Sequence, residues 1–226
     1  MPPIRPGRES DRVTTTLPVE RIRGRSRLGY GAVTVGSLLI VGYALMVVGS
    51  GFRLLPDEVA DNHVPAFVWA HVVFAAVALL LMPLQLSGRV RRWRPGAHRA
   101  SGRIYAVCAV LGGALGVLAA VTTANGLIAG AGFLTLGVLW VATTVAAVRA
   151  ARSRRLTDHR RWAMRSAALV FAAVTLRLEI GLGMALGGSF AVVYSSVAWL
   201  CWVPNLLLVE WLLRRGEAPE AAPVPA

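Results

Sequence analysis

The chain has 226 residues, of which 56% are hydrophobic and only 15% charged, whereas soluble domains carry about 25% charged residues. That balance excludes an ordinary water-soluble globule and points to a membrane protein. A formal net charge of +13 does not imply a nucleic-acid partner, because the basic residues lie in short segments between long apolar runs, leaving no solvated domain to carry a binding surface.

The chain opens on a polar leader, residues 1–28, rich in arginine and without the apolar content to bury a core. Six apolar runs follow, at about 30–50, 65–86, 104–123, 127–148, 163–186 and 190–213, each near the length of about 20 residues that crosses a bilayer as a helix. The first run is too long for a signal-peptide core and reads as a retained span. A Pro/Ala tail, residues 215–226, ends the chain and reads as disordered. The expected fold is therefore all-α, a polytopic bundle of six transmembrane helices over residues 29–214.

Arginine placement sets the orientation. All 24 basic residues are arginine. They crowd the leader, the "SGRVRRWRPGAHRASGR" loop after the second run, the "RAARSRRLTDHRRW" loop after the fourth, and Arg214–Arg215. The alternate loops, "GFRLLPDEVADNHV", "TTANG" and "ALGGSF", hold Arg53 alone. Basic loops stay in the cytoplasm, so both termini are expected there.

Within the runs, Cys108 and Cys201 lack disulfide or metal spacing and read as small core residues. Gly112-x-x-x-Gly116, Gly126-x-x-x-Gly130 and Gly183-x-x-x-Gly187 read as close helix packing. No nucleophile–base–acid set, phosphate loop or zinc motif is present, and no pair of interrupted helices of the transporter kind is evident.

Two polar layers stand out. On the outer side, His71 lies about 9 Å deep and Arg177 and Glu179 about 10–13 Å deep, taking about 1.5 Å of rise per residue. Tyr194, Ser195 and Ser196 fall at a similar level. Arg177 and Glu179, two apart on a helix, diverge in direction and each needs a partner on another span. These residues are expected to converge between the second, fifth and sixth spans, as a structural ion pair or snorkelled anchor, or as a ligand or proton site.

On the cytoplasmic side, "AHRASGRIY" precedes the third span and "DHRRWAMRS" the fifth. Each sets a His-Arg pair ahead of a helix, so His98 and His159 are expected to approach one another among Arg99, Arg103, Arg160 and Arg165. Gln85 from span two and Asn205 and Glu210 from span six are placed beside them. Such a cluster suits an anionic headgroup; a plain positive-inside girdle accounts for the arginines by themselves and less readily for the matched His-Arg pairs.

These same residues carry a resemblance. His71, "PLQL" with Gln85, "HRASGRIY" with Gly102 and Tyr105, "HRRWAMR", "LRL" with Arg177, and "WVPNLLLVEW" with Trp202 resemble the bacterial predicted membrane-protein family called domain of unknown function 2306. Met82 before "PLQL" and Ala100 in "HRASGRIY" depart mildly from its pattern. The resemblance covers about residues 65–213. It implies six spans in the bacterial cytoplasmic membrane and a shared polar site, and it supplies no activity.

Three classes of function stay open. One is binding or transport of an anionic or lipid-like molecule, and another is a non-catalytic subunit of a homo-oligomer or larger membrane complex. The third is a redox protein holding a haem or quinone. For a bis-histidine haem, His98 with His159 is the pair that qualifies, since His63 lies in an outer loop and leaves His71 without a partner.

Overall fold

The computed structural model describes residues 19–51 and 66–215, with side chains from residue 28 onward in the first stretch. The expected disorder of the leader and tail, and the outer loop holding His63, fall on residues 1–18, 52–65 and 216–226, outside those described. The described residues form helices alone: α1 (Val19–Gly49), α2 (Ala66–Leu86), α3 (Gly88–Trp93), α4 (Pro95–Val121), α5 (Gly126–Arg152), α6 (Leu156–Ala185), α7 (Phe190–Leu200) and α8 (Val203–Arg215). α1 thus reaches back into the segment read as leader.

Among the described residues, six segments are long and apolar enough to cross a membrane: Leu28–Gly49, α2, α4, α5, α6, and α7 joined to α8. Helices satisfy every backbone N–H and C=O internally, as hydrocarbon demands. Large apolar side chains such as Leu45, Met46, Leu207 and Leu208 are exposed, which suits a surface that faces lipid tails.

α2, α4, α5 and α6 pack in sequence as antiparallel neighbours. α6 is the hub: α1, α2, α5, α7 and α8 all touch it. The core runs through Leu79, Met82, Trp140, Leu169, Val170, Cys201 and Trp202. Small residues bring the backbones together. A Cβ on Gly113 would stand 2.6 Å from Val141 Cγ2, and one on Gly132 2.7 Å from the Ala198 carbonyl oxygen, so glycine alone fits these crossings.

Three features depart from a plain six-rod reading. Ser87 caps α3 by accepting from the Val90 N–H at 3.3 Å, making a short helix inside what reads as a loop. α4 and α6 start at Pro95 and Leu156, ahead of the apolar runs that mark them at 104 and 163. His98 and His159 therefore sit inside their helices, each at the fourth position, rather than in front of them.

The last span is also broken, at Cys201–Trp202. Pro204 has no N–H and its ring would clash with the carbonyl four residues back, at Leu200. The open Cys201 carbonyl is satisfied by side chains, accepting from Thr175 Oγ1 and, at 2.9 Å, from Asn205 Nδ2.

Candidate functional site

At the arginine-rich end, Gln85 closes α2 and points its amide at α4. Its Nε2 donates to Ser101 Oγ at 2.7 Å and approaches the His98 carbonyl at 3.5 Å. A Cβ on Gly102 would lie 2.9 Å from Gln85 Oε1, so the glycine of "HRASGRIY" makes room for this amide. His98 is half-buried and its Nδ1 has no hydrogen-bond partner among the described residues. Arg91 of α3 and His159 of α6 lie within electrostatic reach of it.

His159 Nδ1 lies 2.9 Å from the Ala147 carbonyl. A carbonyl only accepts, so the ring donates from Nδ1 and, when neutral, keeps a lone pair on Nε2. Six residues on, Arg165 grips Glu210 of α8 with two parallel bonds, the second from Nη2 to Oε2 at 2.9 Å. Its guanidinium also lies 4.6 Å from the centre of the Trp162 ring. Arg165 and Glu210 border a polar cleft of about 380 Å³, shared with Asp158, Arg161, Trp162, Leu213 and Arg214. Asp158 bridges Arg155 at 3.4 Å and Arg161 at 4.0 Å. A larger hollow of about 520 Å³ at the α4–α5 turn has Thr123 as its one polar side chain, too little polarity to orient a ligand.

Other candidates fall elsewhere. Arg99, Arg103 and Arg160 are exposed and stand outside this network. Asn205 does not reach the arginine-rich end: its amide donates to Thr175 Oγ1 at 3.2 Å and to the Cys201 carbonyl. Hydropathy places a residue by depth along an unbroken rod, and the break turns this amide to the gap in its own helix.

One heptad inward from the two histidines lies a hydroxyl core that the sequence reading missed. Tyr105 is seven residues past His98, and Ser166 seven past His159. Tyr105 Oη and Ser166 Oγ are 2.7 Å apart, Thr144 Oγ1 and Ser166 Oγ 2.8 Å, and Thr144 also donates to the Trp140 carbonyl at 2.7 Å. The matched offset from both histidines was the available signal.

At the opposite end, His71 Nδ1 donates to the Gly112 carbonyl at 2.7 Å. Gly116 completes the seat, since a Cβ there would press on the imidazole at 3.0 Å. The Gly112-x-x-x-Gly116 pair thus makes room for a side chain as well as for a helix. Arg177 lies within electrostatic reach of His71, Tyr43 and Tyr194. Its Nη1 donates to the Ala173 carbonyl at 3.2 Å. Glu179 and Arg177 both lie within electrostatic reach of Cys201, and the Glu179 Oε2 is buried without a partner among the described residues.

Residues 68–213 match the family model described as predicted membrane protein (DUF2306). The chain belongs to this family. The matched stretch runs from within α2 to within α8 and contains both polar layers, while α1 lies before it. Neither a comparison with curated proteins nor one with solved structures finds a match. Family membership and the six apolar helices make this a multi-pass membrane protein.

Proposed function

We propose that this family member binds an anionic, lipid-like ligand at its arginine-rich end, in the cleft between α6 and α8. One observation carries the reading: Arg161, Arg165 and Arg214 converge on one polar cleft whose walls include Trp162 and Leu213. Guanidinium forks suit carboxylate and phosphate oxygens, and the two apolar walls suit the chain of a lipid. The Arg165–Glu210 pair fixes one wall and limits how far α8 can swing. By the arginine alternation this end faces the cytoplasm of a bacterial cell, so reporter fusions after residue 155 should read as inside.

Native mass spectrometry in nanodiscs of phosphatidylcholine with phosphatidylglycerol tests the reading. The wild type should retain phosphatidylglycerol, and an Arg161→Gln/Arg214→Gln variant should lose it with insertion unchanged. Equal retention by both would refute it.

A second reading rests on the imidazoles. His159 is held through Nδ1, the arrangement that leaves Nε2 to ligate a metal, and His98 Nδ1 is buried without a partner. A haem iron or a quinone oxygen would take these two rings. A Soret band in protein purified after haem supplementation, abolished in His159→Ala, would favour it over the lipid reading.

A further inference from the structure

Arg177 sits eight residues from the end of α6 at Ala185, about 12 Å along the helix. An arginine serving only as an anchor would stretch toward the outer water. This one points the other way, because its bond is to the Ala173 carbonyl, one turn closer to the middle of the bilayer. Among the described residues its one hydrogen bond is that to Ala173, and Glu179, two residues on, forms no ion pair with it. The remaining guanidinium donors sit in a region where an unmatched charge is costly.

The surroundings supply further donors. Tyr43 approaches from α1 and Tyr194 from α7. Tyr194 is positioned by Phe133 and Phe190, each 5.2 Å from its ring. α1 and α7 share no extended interface; both rest on α6 instead. Tyr43, on the α1 side of Arg177, is 38% exposed.

We infer that Arg177, with Tyr43, Tyr194 and His71 around it, is a second binding site, taking the carboxyl group of a single-chain amphiphile that enters from the bilayer between α1 and α7. A planar carboxyl group matches one guanidinium fork and leaves lone pairs for the two phenols. A phospholipid fits less well, since its phosphate is tethered at the membrane surface and would be dragged into hydrocarbon. A fatty acid enters hydrocarbon as the neutral acid and brings its carboxyl to this depth without that cost.

Oleate and oleyl alcohol share a chain and differ at the head, so they isolate the carboxyl contribution. In phosphatidylcholine nanodiscs, the wild type should bind oleate about tenfold or more tightly than the alcohol, as expected for charge-assisted hydrogen bonds. Arg177→Gln should erase that preference and leave alcohol binding unchanged. Tyr194→Phe, which keeps the ring packing, should lower oleate affinity by about twofold to fivefold, and it carries the test if Arg177→Gln does not fold. Variants of the cleft at Arg161 and Arg214 should leave the preference intact, which separates this site from the one at the arginine-rich end. No preference in the wild type, or a full preference in both Arg177→Gln and Tyr194→Phe, would overturn the proposal.

Discussion

Arg165 and Arg177 lie on the same helix, twelve residues or about 18 Å apart, and the protein treats them in opposite ways. Arg165 meets a carboxylate on α8, stacks on Trp162 and borders a polar cleft at the membrane edge. Arg177 has no carboxylate among the described residues and turns toward the interior, where tyrosines and His71 approach it. The difference teaches how to read charges in a bundle. On the readings proposed above, a charge with a fitted counter-ion from a neighbouring helix serves the fold, while a charge without one is left to meet a ligand.

If that contrast holds, the largest loss of stability follows from Glu210→Ala. Removing the carboxylate strands Arg165, at a cost of about 2–3 kcal/mol for a pair that is partly solvent-exposed. Thermal unfolding in one detergent should show it. Arg165→Met/Glu210→Leu should recover most of the loss, because an apolar pair strands nothing.

Ser166→Ala comes next. Tyr105 and Thr144 lose a shared partner at once, at about 1–3 kcal/mol by the same assay. Gly102→Ala should cost about 1 kcal/mol or less: the new Cβ displaces the Gln85 amide, which can swing aside, and helix propensity improves. Arg177→Gln should change stability least, by about 1 kcal/mol or less in either direction, since removing an uncompensated cation offsets the lost bond to Ala173. A large loss there, with a small one at Glu210, would reverse the comparison.

Much of the fold was legible because hydrocarbon leaves a chain few options. Six apolar runs gave six spans, and the run read as 127–148 appears as Gly126–Arg152. Boundaries slipped where polar residues continue a helix past the apolar zone. The start of α4 at Pro95 was hidden because arginines mask it in hydropathy, although proline suits a first helical turn. Pro204 was visible, yet the break at Cys201 depends on Thr175 and Asn205 to satisfy the freed carbonyl, and such partners belong to tertiary packing. The site was only partly legible. Counting residues set His71, Arg177 and Tyr194 at similar levels, and the structure puts Arg177 within electrostatic reach of the other two, but counting does not say that Arg177 and Glu179 stay unpaired or that Arg165 meets Glu210.

The central claim, that the unpaired arginine binds while the paired one holds the fold, is tested most directly by ligand-induced thermal stabilisation. At about 100 times its Kd a ligand specific for the folded state stabilises it by about 2.7 kcal/mol. With oleate in phosphatidylcholine nanodiscs, wild type and Glu210→Ala should gain the same increment from their different starting points, and Arg177→Gln, binding oleate about tenfold more weakly, should gain only about half of it. An undiminished increment in Arg177→Gln, or its loss in Glu210→Ala alone, would contradict the account.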